Sequence, residues 1–355
     1  MNAVEQRQSN IELLRIVAML MIIAFHFSDH ATIKITSLMP LNIDWIVMSF
    51  ARVGGAIGNC IFVLISGYFM WQMKFRVRNV IKLWLEVFFY SVVSFVVADY
   101  LGFVETHRFL EMGKSLLPIS TNQYWYASSY FVLLLLSPFL NRVIDTFSRR
   151  ELLYTASVGL GIFSLWHTAL CARWLGGCNN IVIFVVLYLV GAYISKYGEK
   201  GFRHNWCNFF LFIFVIFMEW VSILCLKFFL PVVGKHTGAI FYFVWGMDKM
   251  LPILAALSLF IFFSRLDIGC KRAVNVVAST VFGCYLLHIG RLWRLFFYNL
   301  FDVQKTYGTN MVIVEMAMAV VSIFLIACIV DILRQIILER NVMKLVDSII
   351  ARYGV

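Results

Sequence analysis

The chain has 355 residues, of which 62% are apolar, 17% aromatic and only 14% charged. Soluble domains carry roughly 25% charged residues, so this balance excludes an ordinary soluble globular domain and indicates an integral membrane protein. The net charge of +11 invites a nucleic-acid reading, but the basic residues sit between apolar runs. That is the pattern of membrane topology and of attraction to anionic lipid, and no nucleic-acid partner is expected.

A bilayer core of ~30 Å needs about 20 apolar residues per helix. On that criterion the sequence predicts an all-α, polytopic protein with about ten transmembrane helices: 11–28, 50–70, 80–99, 124–141, 152–170, 178–195, 207–230, 241–263, 274–290 and 311–333. Asp248 and Lys249 interrupt the eighth, so its spanning part is expected only from about Met250. With the N-terminus inside, most of the thirty lysines and arginines fall on inner segments, which favours N-in and C-in and hence an even number of spans. The short charged tail after 333 and the N-terminal residues then lie in the cytoplasm. No repeat, linker or low-complexity segment appears, so residues 1–355 are expected to form a single transmembrane domain. The first apolar run ends in HFSDH rather than in a small-residue cleavage site, which argues against a cleaved signal.

The first span, IELLRIVAMLMIIAFHFSDH, carries Glu12, Arg15, His26 and Asp29. At about 100° per residue, Arg15 and His26 lie three turns plus roughly 20° apart, on one face and about 16 Å apart along the axis. Met19 and Ile22 complete the stripe. Ionisable groups in a span usually face a protein interior or a water-filled cavity. Arg15 also reads as a positive-inside anchor paired with Glu12, and His26 as a hydrogen-bonded interhelical histidine. Asp29, one turn beyond His26, has the spacing to orient the imidazole for acid–base work. His26 and His30 have ligand spacing, but no third ligand is identifiable and no metal is expected.

The second span, ARVGGAIGNCIFVLISGYFM, has Gly54, Gly55, Gly58 and Gly67, small residues that let helices approach closely; Ser66-Gly67 is expected to do so beside the first helix. Lys74, Arg76, Arg78 and Lys82 follow, the densest basic cluster in the chain. The cluster marks a cytoplasmic loop and also suits the phosphates of a cytoplasmic donor. Glu219 sits near the middle of the seventh span, either as a functional carboxylate or as a protonated or paired group in a helix interface. His288, with Arg291 and Arg294, lies near the outer end of the ninth. These three read as contacts to an anionic acceptor, such as a lipid-phosphate-linked sugar, or as interfacial residues beside Trp293 and Phe296. Eight cysteines occur without CxxC or Cys/His metal spacing. Cys60, Cys225, Cys284 and Cys328 read as core residues. Cys171 and Cys178 flank a short loop, and whether they pair is open.

Four of these stretches, in order, resemble the membrane-bound acyltransferase 3 family: Arg15-x10-His26 in the first span, IFVLISGYFM in the second, QYWYASSYFVLLLLSPFLN in the fourth and STVFGCYLLHI in the ninth. The resemblance covers about 9–290 by motif and about 333 by span spacing. It implies transfer of an acyl group, most often acetyl from acetyl-CoA on the cytoplasmic side, to a hydroxyl of a cell-surface or lipid-linked glycan, in a bacterial plasma membrane. It implies His26 as the catalytic histidine and Arg15 as its essential partner. Asp29 would hold the ring, and Glu219, His288 and Arg291 would face the acceptor. The family's Arg-x-x-Arg after the second span is replaced here by KFRVRNVIK, which leaves the donor role shared among Lys74, Arg76, Arg78 and Lys82. The competing reading is a transporter or flippase of a lipid-linked sugar, which also places charged residues at mid-membrane.

Overall fold

The computed structural model describes residues 8–353 other than 32, 105–106, 171–179, 199–203, 234–236 and 291–299. Among the described residues every regular element is helical. The first is α1 (Ser9–His30), whose chain turns away at Ala31. α2 (Ile43–Ala51) is capped by Asn42, whose side chain accepts from the Trp45 amide. It leads through a break at Arg52–Val53 into α3 (Gly54–Met70). Next come α4 (Val77–Tyr100), the short α5 (Arg108–Leu116) and α6 (Trp125–Thr146). α7 (Arg149–Leu160) starts in a Ser148–Glu151 capping box and runs through a π turn, Gly161–Trp166, into α8 (His167–Leu170).

The second half holds α9 (Asn180–Tyr197), α10 (Asn205–Val232), a 3-10 turn at Thr237–Phe241 and α11 (Met250–Ser264). α12 (Arg272–Ala278), α13 (Val281–Ile289) and the short α14 (Val303–Thr306) follow. The chain closes with α15 (Val312–Arg334), a π turn at Gln335–Glu339 and the amphipathic α16 (Arg340–Tyr353).

Among the described residues, eight helical stretches are long and apolar enough to cross a bilayer. The expected spans that fall outside these eight are the fifth and the eighth. The fifth begins in Arg149, Arg150 and Glu151 and mixes Thr155, Ser157, Ser164, His167 and Thr168 into its apolar run. The eighth is the fifteen-residue α11, preceded by irregular chain that carries Asp248 and Lys249. The second span extends further than expected, because α2 adds an apolar entry to α3 over Ile43–Met70.

α3 sits between α1 and α9, and glycines set the distance on both sides. A Cβ at Gly58 would stand 2.7 Å from the Ala18 carbonyl oxygen, and one at Gly67 would overlap the backbone of Tyr188. Gly67 therefore admits α9 rather than the first helix, which corrects the expectation for Ser66-Gly67. Gly54 lies against Met21 and Gly58 against Ala18, so α1 and α3 run antiparallel. The Met70 end of α3, with the basic cluster beyond it, is on the same side as the N-terminus of α1. Ile11, Leu14, Ala18 and Ile23 of α1, with Ile57 and Leu64 of α3, fill the centre. In lipid this packing is held by close van der Waals contact rather than by expulsion of water. α10 leaves Phe210, Phe214, Phe217 and Phe228 exposed, an apolar outer face suited to acyl chains.

Candidate active site

A cavity of about 1360 Å³ opens at the His30 end of α1, and His26, Asp29 and His30 all line it. Nδ1 of His26 lies 3.0 Å from Nε2 of His288, 262 positions away. His288 is 1% exposed, and its Nδ1 is 2.6 Å from the carbonyl oxygen of Cys284, one turn earlier on α13. A carbonyl oxygen only accepts, so Nδ1 of His288 carries a proton and donates. In a neutral imidazole the other nitrogen is then an acceptor. His26 must therefore donate from Nδ1 to Nε2 of His288, which leaves a lone pair on Nε2 of His26. The chain from the Cys284 carbonyl through His288 to His26 thus fixes the tautomer that a general base requires.

Asp29 is engaged elsewhere. Its Oδ1 is 2.9 Å from Nη1 of Arg52, and its Oδ2 is 3.8 Å from Nδ1 of His30. Arg52 also donates to the hydroxyl and carbonyl oxygens of Ser28 and lies over the rings of Phe241 and Trp245. The expectation that Asp29 holds the His26 ring is therefore corrected: Nδ1 of His26 is held by His288, and the carboxylate ties α1 to the break before α3. His26 and His30 stack with ring centroids 5.4 Å apart.

The remaining expected residues separate clearly. Arg15 is one-third exposed at the other end of α1, pairs with Glu12 at 3.5 Å and lines neither cavity. A second pocket, about 290 Å³, lies beyond the Met70 end of α3 and is lined by Lys74, Arg76 and Lys82 but not by Arg78. Arg78 instead makes a two-bond pair with Asp347 on α16 (2.6 and 3.2 Å), so it joins two helices and leaves the proposed donor set. Lys82 is 2.6 Å from Glu339. Among the described residues, Lys74 and Arg76 have no carboxylate within 4.0 Å. Glu219 belongs to neither cavity. It is fully buried on α10, with both carboxylate oxygens lacking a partner among the described residues, and its expected contact with substrate is withdrawn. Arg291, Cys171 and Cys178 lie outside the described residues.

Arg52 escaped the sequence reading, although an arginine just before the glycine-rich half of an apolar stretch was a visible signal. So did His167, whose Nε2 lies 2.9 Å from Oδ2 of Asp248 on the wall of the large cavity.

A bundle of apolar helices, with a hydrogen-bonded histidine pair at a cavity at one end and a basic pocket at the other, defines a multi-pass membrane protein. The sequence matches the acyltransferase 3 family, described as an acyltransferase domain, over residues 8–332. The chain belongs to that family and is a membrane acyltransferase. No curated protein and no solved structure matches it.

Proposed function

We propose that the protein moves an acetyl group from acetyl-CoA to a hydroxyl of a cell-surface or lipid-linked glycan, in a bacterial plasma membrane with both termini in the cytoplasm. The observation that carries this reading is the Cys284–His288–His26 chain, which makes Nε2 the basic nitrogen of His26, a side chain that lines the cavity. Nε2 takes the proton of the acceptor hydroxyl as its oxygen attacks the thioester carbonyl. The tetrahedral intermediate collapses with cleavage of the carbon–sulfur bond. The departing thiolate takes the proton back, giving an O-acetyl ester and free CoA. Lys74 and Arg76 supply cationic contacts for the donor's phosphates, with Lys82 on the same wall. The ~16 Å between Arg15 and His26 suits a donor whose phosphates and thioester are far apart, so Arg15 contacts the donor's arm rather than the oxyanion.

The test is chemical analysis of envelope glycans from cells with and without this protein. Loss of an O-acetyl signal in its absence is the expected result. Unchanged acylation of every glycan and glycolipid contradicts the reading and favours the flippase alternative, which consumes no acyl donor.

A further inference from the structure

The large cavity holds a second built cluster on the wall formed by α8 and the irregular chain before α11. Oδ2 of Asp248 is 2.9 Å from Nε2 of His167 and 3.6 Å from Nζ of Lys249. Lys249 is buried to 6% exposure, with its ammonium 4.0 Å over the ring of Tyr242. All four residues and Trp245 line the cavity. Nδ1 of His167 is buried without a hydrogen-bond partner among the described residues.

Local backbone features hold the cluster in place. The π turn Gly161–Trp166 immediately precedes His167 and changes the helical register there, a device that recurs at functional sites. Tyr242 donates its hydroxyl hydrogen to the carbonyls of His167 and Thr168 at 3.1 and 3.3 Å. The Met250 amide donates to the Thr168 hydroxyl at 3.1 Å. These bonds clip α8 to the start of α11. A Cβ at position 246 would overlap Oδ1 of Asp248, so glycine there lets the carboxylate keep its place.

We propose that His167, Asp248 and Lys249, with the rings of Tyr242 and Trp245, form a sugar-binding subsite that selects the acceptor; this rests on the acyl-transfer reading of His26. The cluster offers an acceptor-only carboxylate and a donor-only ammonium side by side, with His167 holding the carboxylate in place through Nε2. Adjacent sugar hydroxyls, each both donor and acceptor, match that set. The aromatic rings give the apolar face of a pyranose a surface to lie on. An anionic group is a poorer match, because the Asp248 carboxylate already lies 3.6 Å from the Lys249 ammonium and would repel such a group. The cavity, at about 1360 Å³, has room for a sugar at this wall with its reacting hydroxyl directed to His26.

The test uses the full chain in nanodiscs and saturation-transfer NMR with the methyl glycosides of glucose, galactose, rhamnose and N-acetylglucosamine. Binding is read in a His26→Ala background, where no turnover occurs. The expected result is binding of at least one glycoside, weakened roughly ten- to hundredfold by Asp248→Asn with the thermal transition unchanged. Should Asp248→Asn lower that transition, His167→Gln provides the same comparison. Equal binding with and without the substitutions, or no binding of any of the glycosides, overturns the subsite. CoA release from acetyl-CoA by the unsubstituted protein is measured separately. If sugars bind through Asp248 and no CoA is released, the acyl-transfer reading fails and the subsite stands. If CoA is released and no glycoside binds, the subsite fails and acyl transfer stands.

Discussion

At the scale of single residues, the proposed chemistry turns on one nitrogen. Nε2 of His26 has its lone pair because Nδ1 donates to His288, and His288 accepts because its own Nδ1 donates to the Cys284 carbonyl. Replacement of His26 by alanine removes the base, and acyl transfer is expected to fall by roughly 10²–10⁴. His288 acts one step back. His288→Ala frees the His26 ring to adopt the wrong tautomer and orientation, and kcat is expected to fall by about 10- to 100-fold, as for other hydrogen-bonded partners of functional histidines. The KM for the donor should stay unchanged, since His288 lies at the opposite end of α1 from the basic pocket. His288→Gln, whose amide can both donate and accept, is expected to recover part of the loss. Equal kcat in the alanine and glutamine variants would show that His288 only fills space. Both histidines were visible in the sequence, each as an expensive polar group in an apolar run. Their pairing was not, because nothing in local spacing connects positions 262 residues apart. Asp29, one turn away, took the role that His288 fills.

At the scale of elements, α3 is the helix most constrained by its neighbours. Gly58 and Gly67 each bring a facing backbone too close for any side chain. Gly67→Val forces α9 away from α3, and overpacking of this kind costs about 1–3 kcal/mol. Its thermal transition in nanodiscs is expected to drop, and activity to fall with it as the walls carried by α3 shift. An unchanged transition would mean that α9 yields without cost. Helix positions were legible because apolar length is a strong signal in a membrane chain. The exceptions have physical causes. The fifth span mixes Thr155, Ser157, Ser164, His167 and Thr168 into its apolar run, and the eighth is shortened by the Asp248–Lys249 pair, whose charges mark the cavity wall. The glycines announced close packing, but not against which helix.

At the scale of the whole molecule, two cavities occupy opposite ends of the α1–α3 pair, and a buried ionic network stands behind the smaller one. Arg334 contacts Glu86 at 2.9 Å, Asp331 at 2.7 Å and Glu339 at 2.9 Å. Tyr90 and Gln335 each donate to Asp331 at 2.7 Å. This network fastens α4 to α15 and to the turn before α16, and Glu86 is itself a wall of the basic pocket. Arg334→Met leaves buried carboxylates without their cation, and a loss of about 3–5 kcal/mol is expected, read as a lowered thermal transition and a raised KM for acetyl-CoA. A variant with an unaltered transition and KM would separate the network from the pocket. The basic cluster was legible as one patch of charge. Its division into Lys74 and Arg76 at the pocket, and Arg78 at Asp347, depends on a helix far along the chain, since positions 78 and 347 are 269 residues apart.

The central claim is that a base on α1 moves an acyl group onto a hydroxyl acceptor. It is tested most directly in proteoliposomes given acetyl-CoA and an envelope-glycan extract, with CoA release and O-acetyl ester formation followed together. The account predicts acceptor-dependent release of CoA matched by ester formation, and a fall of roughly 10²–10⁴ in both for His26→Ala with the protein still folded. Equal rates for the His26→Ala variant and the unsubstituted protein would contradict it.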